Sequence, residues 1–236
     1  MLASEVLANA LIMLGCYLYI VIVILVSGRL YKLRGISPKT SRKFLHVMIG
    51  NLPFIIPFFS SPIFPALVAA PFIVVTFLAT PSSPLKGVSK KLKGLSELTE
   101  EGHQWGLVFY AISYTCLALL FSQKAYVIAV GILPMAYGDA AASIIGEKYG
   151  QHNYKLVAKK SIEGSAAMFL VTLLVLFCGL AFFSWLYGFS FYSRFLAVIA
   201  AATVATLVEA FSPRGLDNLT VPAFSVLTFL IYGGGG

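Results

Sequence analysis

The chain has 236 residues, 59% of them hydrophobic and only 11% charged, with a net charge of +8. A soluble domain carries roughly 25% charged residues, so the composition, with a mean hydropathy of +0.89, excludes an ordinary water-soluble globule. It fits a bundle of apolar helices, each about 20 residues long, crossing a bilayer. The surplus of cations does not require a nucleic-acid partner, because in a membrane protein it marks the loops on one side.

Taken in chain order, the apolar runs predict an all-α, multi-pass transmembrane bundle of about eight spans. They fall near residues 6–26, 44–59, 63–80, 105–121, 125–146, 165–187, 195–211 and 219–232. The first run follows Glu5 rather than a basic stretch and is too long for a signal peptide. The runs form one integral membrane domain, residues 1–232, and the closing glycines, 233–236, read as a linker or expression remnant. Pro53, Pro57, Pro65, Pro71 and Pro134 predict kinks or breaks. Cys16, Cys116 and Cys178 sit in apolar runs at unrelated spacings and read as packing residues.

Charge then orients the bundle. Of the 17 Lys and Arg, all but Lys124 and Arg194 lie in the segments after spans one, three, five and seven. The positive-inside rule makes that side cytoplasmic and puts the N-terminus outside. All acids except Glu5 lie on the same side, with His46, His103 and His152. Chemistry is therefore expected at the cytoplasmic face, where a water-soluble reagent meets a membrane-borne one.

Four constellations could carry it. Arg42, Lys43 and His46 open span two at helical spacing; an Arg fork suits phosphate and a histidine suits proton transfer. The same residues also suit a basic interfacial anchor. Asp139 is a carboxylate inside an apolar run, costly there unless functional or paired. Gly138, Ala140, Ala141 and Ala142 around it admit a close helix or ligand. Mg²⁺ takes one or two carboxylates plus phosphates and water, which would explain a lone acid; a structural pair with Lys or Arg is the alternative. Lys159, Lys160, Ser161 and Glu163 open span six, with Ser161 a candidate N-cap and the helix start a candidate phosphate site. Glu163 could hold a metal or orient a lysine, or the whole group could be ordinary basic flanking with a cap. Glu209 and the pair Asp217-Asn218 bracket the last loop, as helix caps or as partners of Asp139 in a metal or base site. Glu97, Glu100, Glu101 and His103 show no firm metal-ligand spacing; Glu101 and His103 are reserve candidates. No Walker A or Rossmann glycine pattern occurs, so any phosphate site must be built from helix ends and loops.

In order, these pieces resemble the polyprenol kinase family, which includes dolichol kinase, phytol kinase and the CTP-dependent diacylglycerol kinase of fungi. They are Arg42-Lys43-x-x-His46, Asp139-Ala-Ala-Ala-x-x-x-Gly146-x-x-x-Gly150, Lys160-Ser161-Ile-Glu163-Gly164-Ser165, Glu209, and Asp217-Asn218-Leu-Thr-x-Pro222. The resemblance covers about residues 41–222. It implies transfer of the terminal phosphoryl group of a nucleoside triphosphate, commonly CTP, to a lipid alcohol. It further implies Asp139, His46 and Glu163 as catalytic residues and Asp139, Glu209 and Asp217 around Mg²⁺. Arg42, Lys43, Gly146, Lys148, Lys159, Lys160, Ser161 and Asn218 would face the nucleotide. The expected partners are the nucleotide, a membrane-embedded lipid alcohol and the bilayer, with no nucleic acid. Lys159-Lys160-Ser161-Ile-Glu163-Gly164 is also similar to a segment of phosphatidate cytidylyltransferases, which use CTP. Their closing Gly-His-Gly-Gly and Asp-Arg-x-Asp stretch is replaced here by Ser212-Pro213-Arg214-Gly215-Leu216-Asp217-Asn218, which favours the kinase. A cytidylyltransferase, a diacylglycerol kinase and a transporter are the competing readings; the charge-poor outer face and the lack of an internal repeat count against transport.

Overall fold

The computed structural model describes residues 2–30, 37–87, 105–213 and 215–235. They form two units, Met1–Gln123 and Lys124–Gly236. Both are helical, as the apolar runs predict; a two-stranded hairpin in the second is the one sheet among the described residues.

The first unit holds α1 (Ala3–Leu30), α2 (Pro38–Ile49), α3 (Ile63–Ala79) and α4 (Gly106–Phe121). Ser37 caps α2, its hydroxyl accepting from the Thr40 N–H at 3.0 Å, and Pro38 stands at the first position, where no N–H is needed. The expected span 44–59 is not one helix. α2 ends at Ile49, and the chain continues through two 3₁₀ turns, Leu52–Phe54 and Ile56–Phe58. Pro53 and Pro57 lack the N–H an α-ladder would need there. Pro71, by contrast, is accommodated inside an unbroken α3.

Each helix sends one residue to a common core cluster: Val23, Leu45, Ala79 and Leu107. Hydroxyl groups then tie backbone to backbone where no water competes. Ser27 donates to the Ser41 carbonyl at 2.7 Å and Ser41 donates back to Ser27; Tyr19 donates to the Met48 carbonyl at 2.7 Å. The outer side of α1 exposes Leu7, Leu11, Leu14 and Leu18 at helical spacing, a lipid-facing stripe.

The second unit begins with α5 (Ala125–Leu133), every residue of which is buried. A π-helical turn, Pro134–Gly138, joins it to α6 (Asp139–Tyr149), so the helix Ala125–Tyr149 runs on through Pro134. The hairpin β1 (Asn153–Lys155) and β2 (Lys159–Ser161) stands where the sequence suggests only a basic loop. α7 (Ile162–Tyr187) follows and stops at Gly188, whose φ of 71° lies in the left-handed region that favours glycine. α8 (Phe195–Phe211) and α9 (Asp217–Ile231) close the unit.

Among the described residues, four helices are long and apolar enough to cross a membrane: Ala3–Leu30, Ala125–Tyr149, Ile162–Tyr187 and Tyr192–Phe211. Ile63–Ala79, Gly106–Phe121 and Asp217–Ile231 are shorter apolar helices. The chain is thus read as an integral membrane protein.

Candidate active site

The site of the second unit begins at the π-turn. The Asp139 N–H donates to the Pro134 carbonyl five residues back, rather than four. Such turns insert one extra residue into a helix. Beyond it, Gly138, Ala142, Gly146 and Gly150 fall at four-residue intervals and form a small-residue stripe along α6. The stripe lies on α7. A Cβ on Gly138 would meet Thr172 Oγ1 and Met168 Sδ, and one on Gly164 would meet the Ala142 carbonyl at 2.9 Å and Gly146 Cα at 3.3 Å. The small residues around Asp139 therefore admit a helix. Gly146, expected beside the nucleotide, lies at this crossing.

The hairpin separates the two lysines of the Lys159-Lys160 pair. In an extended strand neighbouring side chains point to opposite faces. Lys159 is exposed, whereas Lys160, paired across the hairpin with Tyr154, turns inward and donates to the Glu209 carboxylate on α8. Burial lowers the affinity of the Lys160 ammonium for its proton. The charge and hydrogen bond of Glu209, followed by the charges of Asp139 and Asp217, outweigh that effect and hold it above the ordinary value of 10.5. Asp139, Glu209 and Asp217 are only 6%, 2% and 9% exposed. Carboxylates are seldom that buried unless paired. Lys160 of β2 thus bonds Glu209 of α8, and the charges of Asp139 on α6 and Asp217 on α9 act on it as well.

Ser161 caps α7 as its place before the apolar run predicts, accepting from the Gly164 N–H at 3.1 Å. Glu163 is engaged with the hairpin: it pairs with His152 Nδ1 at 2.7 Å and accepts from the His152 backbone N–H at 3.2 Å. Tyr154 is 2.6 Å from the Ser165 hydroxyl and anchors the hairpin to α7. Neither His152 nor Tyr154 stands out in the sequence, because their role depends on a hairpin with no Gly turn to announce it. Lys148 is exposed, its ammonium 5.1 Å from the Tyr149 ring centroid. Asp217 is the first residue of α9, its carboxylate accepting from the Asn218 N–H at 2.9 Å. Asn218 is buried beside it.

In the first unit, Ser41, Arg42, Lys43 and His46 are all buried on α2. An interfacial anchor would leave its cations exposed to headgroups. His46 stacks edge-on against Tyr110 with ring centroids 4.9 Å apart, and the Tyr110 hydroxyl donates to the His46 carbonyl at 3.2 Å. Glu97, Glu100, Glu101 and His103, like Arg214, lie outside the described residues.

Among the described residues no three His, Cys, Asp or Glu side chains form a ready metal cage. Mg²⁺ does not need one, since it binds through one or two carboxylates with phosphate and water completing its shell. The buried oxygen donors of Asp139, Glu209 and Asp217 suit that chemistry.

These features define a helical membrane protein built around a buried cluster of acids and lysine. The chain is 32% identical over 216 residues to a phytol kinase of Synechocystis sp., a match covering 89% of this chain and 86% of that relative. It is 30% identical over 215 residues to a probable chloroplastic phytol kinase of Triticum aestivum, covering 85% and 70%. A dolichol kinase of Arabidopsis thaliana is 29% identical over 102 residues, 43% of this chain and 18% of the relative. No family model matches the chain, and no solved structure matches it significantly. The chain belongs to the polyprenol kinase family.

Proposed function

We propose that the protein is a lipid-alcohol kinase. It moves the terminal phosphoryl group of CTP, or of another nucleoside triphosphate, to an isoprenoid alcohol such as phytol, dolichol or geranylgeraniol. The observation that carries this reading is the buried Lys160–Glu209 pair, on which the charges of Asp139 and Asp217 also act, in a chain of this family. The relatives named phytol and dolichol kinase support the acceptor class. The resemblance of residues 159–164 to cytidylyltransferases supports CTP. The one-sided cations support a single membrane domain of eight spans, the N-terminus outside and the site on the cytoplasmic face.

In the reaction the alcohol oxygen attacks the γ-phosphorus. The bond from that phosphorus to the bridging oxygen breaks, and the nucleoside diphosphate leaves. Catalysis of this kind rests on positioning and on neutralising charge. Mg²⁺, held by Asp139 with Glu209 or Asp217, would neutralise charge on the phosphate oxygens. Lys160 supplies a fixed cation whose orientation Glu209 sets. The resemblance assigns Arg42, Lys43, Lys148, Lys159, Ser161 and Asn218 to the nucleotide, and His46 and Glu163 to orientation or proton transfer. Gly146 serves the site by letting α6 and α7 close.

The test is a radiolabel transfer assay on the purified protein. It crosses four nucleoside triphosphates with farnesol, geranylgeraniol, phytol, dolichol and diacylglycerol. The expected products are the alkyl monophosphate and CDP. With a lipid phosphate as acceptor instead, release of pyrophosphate would identify a cytidylyltransferase, and no labelled product from any isoprenoid alcohol would overturn the proposal.

A further inference from the structure

The hairpin that carries Lys160 is too small to hold its shape alone. β1 and β2 pair at three positions, Asn153 with Ser161, Tyr154 with Lys160 and Lys155 with Lys159. An isolated two-stranded ribbon is marginal at best in water. Its tip adds little burial, since Leu156 and Val157 are about half exposed. The ribbon is instead fastened to the first turn of α7 from the β1 side. His152, the residue before β1, meets Glu163 twice. Its backbone N–H donates to Glu163 Oε1 at 3.2 Å, and its Nδ1 lies 2.7 Å from the same oxygen. An ionised carboxylate only accepts, so Nδ1 carries the proton. The His152 carbonyl in turn accepts from the Ile162 N–H at 3.0 Å. Further along, the Tyr154 hydroxyl lies 2.6 Å from the Ser165 hydroxyl. Glu163 and Ser165 both belong to α7, and Tyr154 is the direct cross-strand neighbour of Lys160.

We propose that His152 and Tyr154 are positioning residues for the reaction. They clasp β1 to α7, β1 keeps β2 extended, and the extended strand sends Lys160 rather than Lys159 to Glu209. The inference rests on the kinase reading for what Lys160 does there. A lysine head follows its backbone, so strand alternation decides which of two adjacent ammonium groups is fixed and which stays in water. Lys159 is exposed, whereas Lys160 bonds Glu209. Without the clasp, the three-pair ladder loses its outside support, and with it the alternation that tells the two lysines apart. Glu163 then acts through His152 and β1, the orienting one of the two roles open to it.

The test uses the full chain in nanodiscs and a water-soluble amine reagent, a sulfonated N-hydroxysuccinimide ester, with each lysine resolved by fragment-ion mass spectrometry. In the wild type Lys159 should be modified much faster than Lys160. His152→Ala should narrow the ratio of the two rates by about tenfold, the effect of losing one charge-assisted hydrogen bond. Tyr154→Phe should narrow it less. His152→Asn places an amide N–H where Nδ1–H was and should restore the wild-type ratio, which a variant that merely unfolds the hairpin region would not. In the transfer assay, His152→Ala should raise the nucleotide KM about tenfold and leave the alcohol KM within about twofold. Added to Lys160→Met, it should raise the nucleotide KM no further, since the two substitutions then remove the same contribution. An unchanged labelling ratio in His152→Ala combined with Tyr154→Phe would overturn the inference. So would an equal KM effect of His152→Ala with and without Lys160, which would have His152 act by a route of its own. The two readings fail separately. A narrowed ratio without phosphoryl transfer keeps the clasp and removes the kinase; transfer with an unchanged ratio does the reverse.

Discussion

Lys160 and Glu209 lie 49 residues apart in sequence and meet as a hydrogen-bonded ion pair that ties β2 to α8. The lysine side chain is 24% exposed and the glutamate 2%, so the carboxylate is the more deeply buried end of the pair. Desolvation makes a buried pair weak evidence for stability, but an orphaned member is expensive.

Lys160→Met should therefore lower the stability of the detergent-solubilised protein by about 3 kcal/mol. Adding Glu209→Gln should recover part of that loss, since the carboxylate that bonds the lysine is then neutral, while Asp139 and Asp217 keep their charges. Thermal melting followed by size-exclusion chromatography measures both. Equal melting of the single and double variants would show that Glu209 does not depend on Lys160.

The same pair has a pH signature. A lysine with a raised folded pKa contributes stability that is complete below its ordinary value of 10.5 and is lost as pH rises through the higher folded value. The melting gap between the wild type and the double variant should stay constant from neutral pH to about pH 10 and change only above it. A gap that varies near neutrality would point to another titrating group.

Asp139→Asn should cut turnover by about 100-fold or more while leaving melting close to that of the wild type. On the proposed reading the lost charge is the one that would hold the cation and its phosphates, whereas the near-isosteric amide keeps the packing. Near-normal turnover would remove Asp139 from the mechanism.

Gly138→Ala should destabilise the protein by about 1–3 kcal/mol, because the new Cβ would meet Thr172 Oγ1 and Met168 Sδ. Thr172 is fully buried and its hydroxyl oxygen has no hydrogen-bond partner. Thr172→Ala should thus act as a suppressor, restoring part of the melting temperature in the Gly138→Ala background. Failure of the suppressor would place the clash elsewhere.

Orientation can be read by cysteine labelling after Cys16, Cys116 and Cys178 are changed to serine. A membrane-impermeant maleimide should reach Lys155→Cys, exposed on the hairpin, only from the cytoplasmic side. It should reach Lys124→Cys only from outside. The reverse pattern would invert the topology.

Much of this arrangement is legible in the sequence because membrane physics leaves few choices. Asp139 stands out because a carboxylate in an apolar run needs a reason to be there. Ser161 is readable as a cap from its place before an apolar run. Other features are hidden because they depend on local geometry that sequence periodicity does not encode. Residues 44–59 look like one span, yet two prolines divide them into a short helix and two 3₁₀ turns. Lys159 and Lys160 look like one basic patch, yet an extended strand sends them to opposite faces. The resemblance puts Gly146 beside the nucleotide, and only its closeness to Gly164 reveals that it also lies at a helix crossing.

The π-turn at Pro134–Gly138 makes the helix Ala125–Tyr149 unequal in what it tolerates. Each helical residue advances the face by about 100°. Deleting one residue from the turn would leave a more regular helix, but would rotate α6 by that angle relative to α5. The Gly138-Ala142-Gly146-Gly150 stripe would leave α7, and Asp139 would swing away from Lys160. At the four positions before Gly138, chain length is therefore constrained more tightly than side-chain identity. An insertion and deletion scan across this turn would trace a sharp boundary where a substitution scan finds a shallow one.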